Sequence, residues 1–238
     1  MYKVLLCCVL LPGVLVNSQL LSTVSNIRLV DHIPYMLTVM ETFIRDLEDY
    51  GFCNLKVPDF SVDIDEDVFE WHVKGHATFT NSFVASVQNV DIIQHTVQQI
   101  WRFNATDNTT SVFVQASMRM LEVSLGYDVR VELDDGSRHY YTGIFKHNVV
   151  TFPFAVIYNM FTDEYTATVT MDNLPTSTNR MVFAPVTALT QVLSHLYDVT
   201  SAVAGMGEWG PNVFQPLLLN VAQHKVPFAE ICYNCPTV

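Results

Sequence analysis

The sequence predicts an α+β fold: a long amphipathic helix wrapped by a strongly curved antiparallel β-sheet and closed by C-terminal helices. Three observations carry this. Apolar residues recur with helical spacing over 27–50, with a period of two over 55–174, and with helical spacing again after Pro175. Strands grouped between segregated helices, rather than alternating with them, define the α+β class.

The first helix is read from Ile33, Met36, Leu37, Met40, Phe43, Ile44 and Leu47 on one face, with Thr38, Glu41, Arg45, Asp46, Glu48 and Asp49 on the other. Asp31 is a candidate N-cap, Pro34 fits the first turn and Gly51 stands where a C-cap belongs, so the helix begins near His32. The strands follow. Phe69, Trp71, Val73, Ala77 and Phe79 alternate with Glu70, His72, Lys74, Thr78 and Thr80. Val112, Val114, Ala116, Met118 and Met120 form one apolar set, and Leu121, Val123, Leu125, Tyr127, Val129 and Val131 form the next. Tyr165, Ala167, Val169 and Met171 form a last one. One apolar and one polar face per strand predicts an antiparallel sheet wet on one side. The phase switch between Met120 and Leu121 predicts a bulge, and Asp134-Asp135-Gly136 a hairpin turn.

After Pro185, the residues Val186, Leu189, Val192, Leu193, Leu196, Tyr197, Thr200 and Val203 predict a second helix ending at Gly205. A third piece over 213–225 stops before Pro227. These helices are the elements able to cover the sheet's apolar face.

Composition bounds the compartment and the partners. Lys3, the apolar run Val4–Val16 and the Val16-Asn17-Ser18 site have the order of a secretory signal peptide. The run of about 13 residues is short of the roughly 20 that span a bilayer, which favours cleavage over a transmembrane anchor. Residues 1–18 are therefore expected to be the signal, and 19–238 a single secreted, extracellular domain. The net charge of −12 becomes −13 without Lys3, which disfavours nucleic acid and anionic membrane surfaces as partners. Three cysteines remain, Cys53, Cys232 and Cys235, and a tie from Cys53 to one of the other two is the favoured pairing. Asn104-Ala-Thr106 and Asn108-Thr-Thr110 are glycosylation sequons in one polar stretch.

Catalytic and metal motifs are weak. There is no GxSxG, and Cys232-Tyr-Asn-Cys235 lacks a strand-to-helix context. Asp63-Ile-Asp65-Glu-Asp67 opens like an EF-hand, but Val68 replaces its glycine and Lys74 its final glutamate, so no calcium is expected. His72 and His76 stand about 13 Å apart along a strand, too far to share an ion without a bend at Gly75. These two, like His139 and His147, are read as polar-face residues, in preference to a zinc or pH-sensing role. No enzyme activity, metal or cofactor is expected.

The helix followed by Leu55-Lys56-Val57-Pro58-Asp59, the stretch Phe69–Val90 and Phe183-Ala184-Pro185 leading into a helix resemble the group 7 mite allergens. Those belong to the tubular lipid-binding superfamily, with the bactericidal permeability-increasing, juvenile-hormone-binding and takeout proteins. The mature N-terminus lacks the early cysteine pair of the takeout branch. The resemblance implies a helix wrapped in a curved sheet, an apolar groove, a lipid-like or other hydrophobic small-molecule ligand and no catalytic residues.

Aromatic and methionine side chains are the groove candidates: Phe43, Phe69, Trp71, Phe79, Trp101, Met118, Met120, Phe145, Phe152, Phe154 and Leu193. The alternative from another class is a protein or microbial-surface interaction module with a filled core. It would expose an apolar patch at Phe152-Pro-Phe154 or in the loop Gly205–Pro211.

Overall fold

The computed structural model describes residues 28–68, 70–172, 180–197 and 199–232, apart from the side chains of residues 68 and 71. The expected signal peptide, Phe69, the Trp71 side chain and Cys235 lie outside the described residues. The chain divides into a small unit, which holds the antiparallel pair β1 (Arg28–Leu29) and β9 (Ile231–Cys232), and a large unit, Asp31–Ala229.

In the large unit, α1 spans His32–Tyr50 and buries Tyr35, Met36, Val39, Met40, Phe43 and Leu47. Met36, Met40, Phe43 and Leu47 belong to the expected stripe, but the buried face is rotated toward Tyr35 and Val39, leaving Ile33 exposed and Leu37 and Ile44 half-buried. The Asp31 side chain makes no capping bond, and only its carbonyl accepts from the Tyr35 N–H at 3.0 Å. Gly51 ends the helix at φ +87°, its N–H donating to the carbonyls of Leu47 and Glu48.

Seven antiparallel strands form the main sheet: β2 (Phe60–Val68), β3 (Trp71–Ser86), β4 (Asn89–Asn104), β5 (Thr109–Leu133), β6 (Arg138–Asn159), β7 (Tyr165–Val169) and β8 (Val182–Ala184). Their order is β2-β3-β5-β6-β7, with β4 also on β5 and β8 also on β6. β5 and β6, of 25 and 22 residues, run in register from Ser111↔Asn159 to Glu132↔Arg138 and form the sheet's spine. The sheet is open, since β2 and β7 do not pair, and it is not strongly curled. The strongly curved sheet expected from the sequence is therefore corrected. A bulge locally re-aims the spine but does not curl the sheet into a tube.

That bulge lies where the phase switch placed it. Glu122 sits at φ +51°, Met120 and Val123 both point inward, and the carboxylate of Glu122 pairs outside with Lys146 at 2.6 Å. The Asp134-Asp135-Gly136 turn also forms, with Gly136 at φ +83° and the Asp135 carboxylate accepting from the Ser137 N–H at 2.8 Å. Hydrogen bonds from Ser137 hold the Asp135 carboxyl below its usual pKa.

The second helix is two helices, α2 (Ala188–Leu196) and α3 (Val199–Gly207). A π-helical turn (Gly210–Phe214) then leads into α4 (Gln215–His224). Thr187 opens α2 with a capping box in which Thr187 and Thr190 each bond the other's backbone N–H. Helices α1 and α4 pack on one another, α1 also reaching β4 and β5 and α4 reaching β6 and β7, whereas α2 rests chiefly on β2 and β8.

The Leu55–Asp59 segment is strapped in place. Ser82 Oγ accepts from the Val57 N–H at 2.7 Å and donates back to its carbonyl at 2.6 Å, and Trp209 Nε1 donates to the Lys56 carbonyl at 2.6 Å. Gly205 lies so close that a Cβ there would stand 2.5 Å from Pro58 Cδ. The region Gly205–Pro211, expected as a loop with a possible apolar patch, is instead helix and π turn, with Met206 and Trp209 buried.

Candidate functional site

The interior differs along the sheet. Under α1 and α4 it is filled: Phe152 and Phe214 meet edge to face at 4.8 Å, and Phe43 meets Phe214 at 5.9 Å. The gap left among Met40, Phe43, Met118, Phe154, Val169, Phe214 and Leu218 is about 10 Å³, no more than a single water needs. Phe152 and Phe154 are buried in this core, so Phe152-Pro-Phe154 is neither a lip nor an exposed patch.

Under α2 the sheet and helix part. A groove of about 990 Å³ opens there, at the upper end of ordinary ligand sites. Its walls come from the ends of four strands and one helix face: Glu66 of β2, Val73 of β3, Leu133 of β5, His139 and Tyr141 of β6, and Leu189, Val192 and Leu196 of α2. The last three recur at i, i+3 and i+7, the spacing of one helical stripe. A second stripe, Thr190 and Leu193, turns into the core instead and leads to buried Tyr197 just past the helix end. Helix α2 thus has two apolar faces, of which one is packed and one lines the groove.

Six residues farther along each strand, from Glu66 to Phe60, Val73 to Phe79, Leu133 to Tyr127 and His139 to Phe145, stands an aromatic cluster closed by Tyr197. Phe60 stacks on Phe79 at 4.6 Å and Phe145 on Tyr197 at 4.6 Å. The Tyr127 and Tyr197 hydroxyls bond each other at 2.9 Å, which satisfies two polar atoms inside an apolar cluster. Burial pushes the Tyr127 hydroxyl up to about 12. Strand rise puts the cluster about 20 Å of chain path from the groove residues, so it is packed core and not part of the groove wall.

Of the groove candidates named from the sequence, Phe43, Phe79, Met118, Met120, Phe145, Phe152, Phe154 and Leu193 are all buried in the packed core, and Trp101 is half-buried on β4. None of these nine lines the large groove.

The histidines divide. His72 and His76 are on the outer face as expected. His72 lies between Asp67 (2.8 Å) and Asp65 (3.0 Å), and His76 meets Asp63 at 2.8 Å. The hydrogen bond to Asp67, followed by the charges of Asp65 and Asp67, raises the His72 pKa. His139 and His147 are not polar-face residues. His139 faces the groove, and His147 is 3% exposed beside Phe145, its Nε2 without a hydrogen-bond partner among the described residues. Among the described residues, no three His, Cys, Asp or Glu side chains gather as a metal site.

Cys53 is a free, exposed thiol, which overturns its favoured tie to Cys232 or Cys235. Cys232 is disulfide-bonded, and no disulfide joins two described residues. Asn104 and Asn108 are both exposed at the β4–β5 turn. No described helix is long and apolar enough to cross a membrane.

Exposed apolar side chains flank the pairing of β8 with β6: Tyr140 (66% exposed) and Ile144 (43%) on β6, Val182 (67%) on β8 and Val186 (72%) just beyond it. Ile144 and Val182 are directly paired. This apolar patch begins one residue before the groove-lining Thr187.

No protein-family model matches the chain. No curated protein matches it either, so the narrower likeness to group 7 mite allergens has no support from sequence comparison. Among solved structures, the chain is similar to the crystal structure of a lipopolysaccharide binding protein, with a TM-score of 0.44 and 9% identity. The alignment covers 83% of this chain and 39% of that one, so the chain spans well under half of that protein's length.

Proposed function

We propose that this chain is a secreted, non-catalytic binder of a hydrophobic small molecule, with the ligand held in the groove between α2 and the ends of β2, β3, β5 and β6. The observation that carries the reading is the groove itself: about 990 Å³ with Val73, Leu133, Leu189, Val192 and Leu196 on its walls, beside a core that is otherwise filled. Each methylene moved there from water gains about 0.8 kcal/mol. The order of helix, antiparallel sheet and helices supports membership of the tubular lipid-binding superfamily, in an open form rather than a helix wrapped by a curled sheet. The signal-like N-terminus and the sequons at Asn104 and Asn108 on an exposed turn support an extracellular setting.

A second reading, an interaction module for a protein or microbial surface, is favoured by the patch of Tyr140, Ile144, Val182 and Val186. Native mass spectrometry of the secreted, deglycosylated protein, followed by organic extraction, separates the two. A near-stoichiometric co-purifying lipid is the expected result. A clean unliganded mass that takes up no added fatty alcohol, fatty acid or sterol would overturn the carrier reading.

A further inference from the structure

Glu66 departs from the pattern of its strand. The inward positions of β2 run Phe60, Val62 and Ile64, and the next one, where an apolar residue belongs, is a carboxylate. Its register partner across β3 is Val73, another groove wall, so Glu66 stands at the groove with an apolar neighbour. No cation or hydrogen-bond donor among the described residues pairs with it. Its side chain is exposed at the groove mouth, where the carboxylate is hydrated and free to take a cation supplied from outside.

The surrounding charges agree. Glu66 and Asp67 are the groove-lining residues with a fixed charge, and both are negative. Asp67 is already held by His72. Arg180 is directed at His195, a groove residue, with its Nη1 donating to Nε2 at 3.1 Å. The guanidinium is thereby held by the ring nitrogen, which accepts. The chain as a whole carries −12, which attracts cations and repels anions as they approach.

We propose that the groove selects a single-chain amphiphile with a protonated amine head, its ammonium held by Glu66 at the mouth and its tail along Leu189, Val192 and Leu196. This rests on the groove reading above, and it predicts discrimination against carboxylate lipids of the same chain length.

The test is titration of the full mature protein and its E66Q variant, below micellar concentrations at pH 7, with dodecylamine, dodecanol and dodecanoic acid. The wild type should bind dodecylamine about five- to tenfold more tightly than dodecanoate, the range expected of a partly exposed ion pair. In E66Q that ratio should fall to about twofold or less, while dodecanol, which carries no charge, binds both proteins equally and reports an intact groove. If dodecanol binds but the wild type shows no amine preference, or E66Q retains it, the head-group assignment fails and the groove reading stands. If none of the three binds the wild type, the groove reading fails and this assignment fails with it.

Discussion

Replacing Phe152 with alanine should destabilise the protein by about 3–5 kcal/mol, lowering Tm by roughly 10 °C. Phe152 is fully buried on the inward face of β6, opposite Met118 across β5, and its ring meets Phe214 edge to face at 4.8 Å. Phe214 in turn touches Phe43 of α1 and Trp209. The ring is thus one of the contacts through which the π turn and α1 rest on the sheet. The region has little room to adjust, since the neighbouring gap holds only about 10 Å³, and the vacated volume would remain a cavity. Phe161→Ala is the matched control: that ring is 64% exposed, and its loss should change stability by about 0.5 kcal/mol or less. Denaturant titration of both variants checks the contrast, and equal effects would contradict the assignment of this region as the filled core.

Acid should remove about 3 kcal/mol through one histidine. Burial pushes the His147 pKa down from 6.5 to about 4. Between those values the unfolded chain takes up a proton that the native imidazole refuses. The stabilisation is therefore complete above pH 6.5 and is lost as pH falls towards 4, at about 1.4 kcal/mol per unit. His147→Met keeps the volume apolar and removes the titration. Thermal melts from pH 7.5 to 4 should show the wild type falling more steeply than the variant, so that the variant is the more stable protein at pH 4.5. Parallel curves would contradict the burial of a neutral imidazole. His72 works in the opposite sense, because its pKa is raised. Its contribution is present below pH 6.5 and fades as pH rises through the raised value, but it lies on the exposed face and its effect is small.

Much of the scaffold was legible in the residue pattern, because amphipathic periodicity reports which face is buried. Four residues of the α1 stripe (Met36, Met40, Phe43 and Leu47), the inward residues Ala77 and Phe79 of β3, most of the inward sets of β5 and β7, the turn at Asp134-Asp135-Gly136 and the bulge after Met120 lie where the spacing places them, whereas the buried face of α1 is rotated toward Tyr35 and Val39. Three features were not legible. The apolar residues from Val186 to Val203 read as one broad stripe, yet they belong to two helices. Within α2 they form two faces, a packed one with Leu193 and a groove face with Leu189, Val192 and Leu196. Hydropathy cannot separate those, since both are apolar. Phe152-Pro-Phe154 looked unlike a strand because proline lacks an N–H, but the Pro153 carbonyl still accepts from Thr170 at 3.0 Å and its neighbours stay inward. The large aromatic and methionine side chains drew attention as a groove because they adapt to guests, and for the same reason they fill the core. The signal that does point to the groove was smaller: a glutamate in the inward phase of β2, after Phe60, Val62 and Ile64.

The central claim, an apolar ligand under α2, is tested most directly by methyl NMR of the protein titrated with dodecanol. Shifts should appear at Val73, Leu133, Leu189, Val192 and Leu196 and leave Val112, Met118 and Met120 unmoved. An unchanged spectrum at saturating dodecanol, or shifts confined to Ile144, Val182 and Val186 on the outer patch, would contradict it.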